Sequence, residues 1–222
     1  VKIVWLLMVA VVVAGCGSAT TTLTARLDSP VDVTLSWHDS GPAPLGRVVE
    51  YANTAAGPYT ILDFLAPSRM SYAHRKLIPR TAFSYRVVPY YGQVSAIVEL
   101  ALPPGKYDDA PADWARPRTV AQPAVARQPL RAGGRPTDLR TTVMNANGVR
   151  LTWTDRASDE AGYLVELRPA GSADFRVVQL LDANVNSTGI VTLPDEKVAA
   201  CRVVAFYYGE SSNTVSVTTG DG

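Results

Sequence analysis

The sequence aligns with itself when shifted by 116 residues, and no other feature constrains the fold as much. Val33, Leu35 and Trp37 fall on Val149, Leu151 and Trp153, Asp39 on Asp155, Gly46 on Gly162 and Glu50 on Glu166. Further on, Tyr59 falls on Phe175, Leu65 on Leu181, Leu77 on Leu193 and Arg86 on Arg202. After one inserted residue, Tyr90-Tyr91-Gly92 meets Tyr207-Tyr208-Gly209, and Ser95 meets Ser212. The period is too long for a solenoid, whose units run about 20–50 residues. The copies therefore read as two domains.

Each copy is a set of short strands. Val31, Val33, Leu35 and Trp37 alternate with Asp32, Thr34 and Ser36, the period of a strand with one wet face. Pro/Gly loops and turns such as Asn147-Gly148 separate the strands. Phe83 to Tyr91 and Ser95 to Leu102 are expected to form a closing hairpin around Gly92. About seven strands per copy, with no amphipathic helix, describe an all-β pair of immunoglobulin-like sandwiches. Apolar residues make up 47% of the chain, so there is material for two cores.

Trp37, the stretch LIPRTAFSYRV (Leu77 to Val87) and the closing strands resemble a fibronectin type III domain. Leu77, Pro79 and Thr81 match the corner of that family, and Phe83 stands where it has a tyrosine. In the second copy Trp153, Leu193 and Cys201-Arg202-Val203 match, Pro194 comes one place early, and Lys197 and Ala199 replace the Thr and Tyr. DEAGYLVEL from Asp159 and SNTVSVTT from Ser212 are similar to bacterial members. The resemblance implies a sandwich with a looser corner in both copies, because the corner hydroxyl is missing.

The N-terminus reads as an address. Lys2 precedes an apolar run from Ile3 to Ala14, too short for a membrane span of about 20 residues. It fits the hydrophobic region of a secretory signal. Val13-Ala14-Gly15-Cys16 looks like a bacterial lipobox, which implies a diacylglyceryl thioether on Cys16, an exported chain, and anchoring to the cell membrane or outer membrane. Two acyl chains hold stably where one is marginal. Cys16 is then unavailable to Cys201. Cleavage at a nearby small-residue site such as Ala19 is the plainer alternative. The expected layout is a signal peptide over residues 1–15, a tether over 16–22, a first domain over 23–103, a linker over 104–135 and a second domain over 136–220.

Seven of the 16 prolines lie between positions 103 and 136, which excludes a regular strand or long helix there. An extended, semi-rigid spacer is expected. Trp114 within it either folds back onto the first domain or serves as a partner anchor.

Little of the sequence carries chemistry. His38 should face solvent, and His74 should be a partly buried structural histidine. No second His or Cys stands at zinc-ligand spacing. Asp155, Asp159 and Glu160 share one loop, read as a solvated acidic loop in preference to a calcium site. Cys201 takes the inward position of Tyr85 and reads as a buried thiol, with intermolecular pairing as the alternative. Asn186 begins an Asn-Ser-Thr sequon read as chance. A formal charge of +1 offers no global field for nucleic acid. No catalytic set, metal site or cofactor is expected. Tyr90, Tyr91, Gly92, Tyr207, Tyr208 and Gly209 are the candidate contact surface, since tyrosine rings suit proteins and sugars. The functional expectation is a membrane-anchored, non-enzymatic lipoprotein that presents two modules for protein binding or spacing at the envelope. The alternative is a carbohydrate-binding or envelope-assembly accessory, with an envelope protein or polysaccharide as partner.

Overall fold

A computed structural model describes residues 20–108, 110 and 112–221. Cys16 and the signal segment lie outside them. Among the described residues fourteen strands follow in order: β1 (Thr20–Ser29), β2 (Asp32–Ser40), β3 (Gly46–Ala52), β4 (Thr60–Leu65), β5 (Ser71–His74), β6 (Ala82–Val94), β7 (Val98–Ala101), β8 (Thr137–Asn145), β9 (Gly148–Thr154), β10 (Gly162–Pro169), β11 (Arg176–Leu181), β12 (Ser187–Val191), β13 (Val198–Tyr208) and β14 (Val215–Thr218). β1 already starts at Thr20, so residues 20–22 are strand and not tether.

The expected closing hairpins do not form. β7 leaves the first unit and pairs with β13 of the second, Cys201 opposite Val98. β14 returns from the second unit and pairs with β6 of the first, Val215 opposite Tyr85. Each unit is still a seven-stranded sandwich, but each takes its last strand from the other copy. In the first, the sheet β1-β2-β5 faces β6, β3, β4 and β14 across a core of Leu35, Trp37, Val49, Phe83 and Tyr85, with Val215 and Val217 packed against it. In the second, the sheet β8-β9-β12 closes a core of Leu151, Trp153, Tyr163, Val165 and Cys201, completed by Leu100 and Leu102.

The exchange leaves the C-terminal half of β6 free to pair with β13. Tyr90 lies opposite Tyr208, Tyr91 opposite Tyr207 and Gly92 opposite Phe206. The order β11-β10-β13-β6-β3-β4 is therefore one continuous sheet through both units, and its end strands β4 and β11 touch. A third apolar cluster, Val48, Val88, Tyr90, Leu164, Val204 and Phe206, is buried on this shared sheet. The two copies are fused side by side and not strung in series.

Ladder register also moves the inserted residue. Gly46 lies opposite Tyr90, and its counterpart Gly162 lies opposite Phe206. Tyr90 thus corresponds to Phe206 and Tyr91 to Tyr207, so the insertion falls after the tyrosines. The pseudo-two-fold axis then passes through the Tyr91–Tyr207 pair. Paired contacts obey it. Val87 N–H donates to Ser212 Oγ and Val203 N–H to Ser95 Oγ, both at 3.0 Å.

Neither corner is loose. Thr219, arriving with β14, supplies the missing hydroxyl in the first unit. It accepts from Thr81 N–H at 2.8 Å and donates to the Ile78 carbonyl at 2.7 Å. In the second unit Pro194–Glu196 form a 3₁₀ turn, and the Glu196 carboxylate accepts from Leu193 N–H at 2.7 Å and from Arg176 at 2.7 Å.

The proline-rich segment is not a spacer. It runs along the second unit, and Leu130 is buried in that unit's core. Trp114 packs on the second unit and not the first: side chains at Gly148 or Gly189 would stand about 2.5–2.6 Å from its indole. Residue 118 bridges Ser187 and covers the outer edge of β12. Asn186 is 3% exposed, and its amide clamps Val120, accepting from its N–H at 2.5 Å and donating to its carbonyl at 2.8 Å. The sequon is thus occupied by a structural contact.

Candidate contact site

Two sets of side chains repeat about the axis. On the outer face of each sheet an arginine is held by a glutamate and roofed by an aromatic ring. Arg86 bonds Glu50 at 2.5 Å under the Tyr59 ring at 4.1 Å. Arg202 bonds Glu166 at 2.5 Å under Phe175 at 3.9 Å. The copies differ in depth. Glu166 is buried, and the Tyr90 hydroxyl stands near it across the junction. Burial pushes the Glu166 carboxyl up, against the downward pull of Arg202 and Tyr90. Phe206, standing in Tyr90's place, offers Glu50 no such hydroxyl.

The second set is the tyrosine pair on the axis. The rings of Tyr91 and Tyr207 stack, centroids 5.8 Å apart with planes 27° from parallel. They lie because cross-strand neighbours on one face of a sheet point the same way. Pro42, Pro89, Tyr208 and Gly209 join them in an open cleft of about 520 Å³, with Arg131 and Glu210 on the rim. The Arg131 guanidinium sits 5.7 Å from the Tyr207 ring centre. Tyr208 is 40% exposed. Burial raises the Tyr91 and Tyr208 phenols above the usual range, so both remain neutral donors at physiological pH.

Of the six residues singled out in the sequence, Tyr91, Tyr207, Tyr208 and Gly209 line this cleft, Tyr208 with its ring turned onto Phe206 at 5.1 Å. Tyr90 does not: it is buried in the shared cluster, edge-on to Phe206 at 6.2 Å. Gly92 sits where a Cβ would overlap the Ala205 carbonyl, so its part is to let β6 and β13 meet. Arg131 and Pro42 were not singled out. Only the docking of the linker and of the Gly41–Gly46 loop brings them here, and neither leaves a local signal.

The carboxylates of the acidic loop have structural partners. The acidic loop is not solvated at Asp155, which is fully buried; it accepts from Tyr163 OH at 2.5 Å and from Ala157 N–H at 3.0 Å, and faces Arg127 of the linker. Asp159 accepts from Leu130 N–H at 2.7 Å and Glu160 from Asn184 N–H at 3.0 Å. These carboxylates fasten the linker and a turn. No metal-sized group of His, Cys, Asp and Glu occurs among the described residues. Cys201 is buried and free, its thiol pushed up to about 12 by burial. His38 is exposed.

His74 lies among Tyr51, Tyr72, Phe83 and Tyr85 and shares a 3.1 Å hydrogen bond with the Tyr85 hydroxyl. Burial lowers its pKa from the ordinary 6.5. Below about pH 6.5 the unfolded chain binds a proton that the folded chain resists, so this part of the stability is complete above that pH and declines as pH falls through it. Urea midpoints between pH 7 and pH 5 should fall for the wild type and fall less for His74→Gln. An equal slope in the two proteins would exclude His74 as the source.

No known family and no curated protein matches the sequence. Among solved structures, a two-domain fibronectin type III segment of chicken tenascin is similar at 16% identity, covering 92% of this chain and all of that one, with a TM-score of 0.30. The FN1–FN3 domains of chicken CNTN1 are similar at 15% identity, covering 92% of this chain and 69% of that one, with a TM-score of 0.29. The class is defined by the strands themselves: an all-β pair of fibronectin type III-like sandwiches.

Proposed function

We propose that the chain is a non-enzymatic, lipid-anchored protein of the bacterial envelope whose fused modules form one rigid contact platform for a protein partner. The observation that carries this is the stacked pair Tyr91 and Tyr207, set with two prolines in an open cleft on the axis. A ring with a hydroxyl at its tip gives contact area and a hydrogen bond at little conformational cost. Holding the rings on paired strands spares a partner the ordering that a flexible tandem would require.

The anchor reading rests on the apolar run and Cys16. Thr20 opens β1 four residues beyond Cys16, at most about 14 Å of chain, which would hold the first unit against the bilayer. No helix among the described residues is long and apolar enough to cross a membrane. Cys16→Ala should abolish incorporation of labelled lipid and move the chain to the soluble fraction. Persistent membrane association would remove the anchor from the proposal.

A polysaccharide is the second reading, because the Tyr91 and Tyr207 rings also suit a sugar ring. A photo-crosslinker placed at Pro42, in the cleft lining, on intact cells separates the two. Capture of one defined protein, lost in Tyr207→Ala, supports the protein-contact reading. Binding to a glycan array that Tyr207→Ala abolishes, without protein capture, supports the sugar. Equal crosslinking from Val191, exposed on β12 and outside the cleft lining, counts against both.

A further inference from the structure

The two units carry the same edge strand, yet only one of them is covered. In the second unit β12 is the outer strand of its sheet, and residue 118 lies antiparallel to it. Arg118 N–H donates to the Ser187 carbonyl at 2.8 Å, and Ser187 N–H donates back at 3.0 Å. The counterpart in the first unit is β5. Ser71 lies opposite Ser36 as Ser187 lies opposite Thr152, so the two edges share one register. The Ser71 N–H and C=O must therefore point outward, as those of Ser187 do, and alternation gives Ala73 the same direction. Among the described residues, no group bonds these outward positions. Both residues are exposed.

Charge says what fits there. Arg69 precedes β5, and Arg75 and Lys76 follow it; all three are exposed and in no ion pair among the described residues. Two carboxylates lie nearby. Asp63 feels Arg69, and Asp32 feels Arg75 and Lys76 from a position where it is already engaged by Lys76 N–H at 2.9 Å and the Ser29 hydroxyl at 2.8 Å. Cations thus bracket a four-residue edge strand with two residues of open backbone.

We propose that β5 is a strand-addition site for an extended acidic segment of a partner protein, which pairs antiparallel with Ser71 and Ala73 and sets carboxylates against Arg69 and Arg75. Main-chain hydrogen bonds supply the affinity in this mode and the flanking charges the selectivity. The linker on β12 is the precedent within the same molecule. The edge is short, which suits one added strand and not open-ended stacking of copies. This site is separate from the tyrosine cleft and does not depend on it.

The test uses the full chain and a blocked synthetic peptide, DTVTVTD, whose acidic ends span roughly the distance from Arg69 to Arg75 at about 3.3 Å per residue. Saturable binding at low salt is expected, at least tenfold tighter than for KTVTVTK, with new amide protection at residues 70–74 by hydrogen exchange. Ser71→Pro, which removes an outward N–H, and Arg75→Glu, on an exposed side chain, should each weaken it at least tenfold. Unchanged binding to Arg75→Glu overturns the proposal, as does equal binding of the two peptides or protection elsewhere. Tighter binding of the chain's own RPRTVAQ (residues 116–122) also overturns it, since the occupant would then be the linker of a second copy. Loss of peptide binding in Tyr207→Ala but not in Ser71→Pro would place the peptide in the cleft instead.

Discussion

Removing residues 212–222 should unfold the first unit and leave the second packed, although the deleted residues follow the second unit in sequence. Val215 and Val217 pack on the Trp37 core, Thr219 closes the corner at Ile78 and Thr81, and Ser212 binds Val87. Asn213 also holds β1, accepting from Leu23 N–H at 2.8 Å and donating to the Leu23 carbonyl at 3.0 Å. Losing two partly buried valines costs about 1–2 kcal/mol each by area, before the ladder and the exposed edge of β6 are counted. A total above about 4 kcal/mol approaches the whole stability of a small domain. Hydrogen exchange should accelerate in β2 and stay slow in β9. In a conventional tandem the same deletion would expose β13 and loosen β9. That pattern would sink the strand exchange.

The reason this exchange was hidden in the sequence is the repeat itself. β7 and β14 are copies, each apolar on alternate residues, and each satisfies either sandwich. Val98 and Val215 serve equivalent places beside Cys201 and Tyr85, so alternation fixes the face of each strand but not its partner. The sandwiches, the core tryptophans and the inward Cys201 were legible because they depend on that alternation alone.

The linker misled for a different physical reason. Proline marks where regular ladders cannot form, and says nothing about contacts made through side-chain amides. Asn147 and Asn186 hold linker backbone by that route. One signal was present. Gly148 and Gly189 replace Asp32 and Ala73 of the first copy, and the lost side chains are the floor on which Trp114 lies. The candidate site was half legible for the same kind of reason. Tyrosine repetition pointed to the strand, but insertion placement decides which rings meet, and only the ladder opposite Gly46 and Gly162 fixes that.

Gly92→Ala should open the β6–β13 seam between the two units while leaving each sandwich formed. Gly92 lies opposite Phe206, and an added Cβ would overlap the Ala205 carbonyl and stand 2.9 Å from the Phe206 Cα. Both obstacles are backbone, so no rotamer relieves them and the strands must part. Overpacking of this kind costs about 1–3 kcal/mol, and here it falls on the one ladder that joins β6 to β13. Once that ladder opens, the shared cluster around Tyr90, Leu164, Val204 and Phe206 loses its cover, and Tyr91 no longer stacks on Tyr207. The wild type should therefore melt in one cooperative transition, because each unit holds a strand of the other and both share a sheet. Gly92→Ala should melt at lower temperature, with fast exchange confined first to residues 90–94 and 204–208 and with any ligand of the tyrosine cleft lost. An unchanged melting temperature, with those amides still protected, would mean that the junction tolerates a side chain and is not the close-packed seam described above.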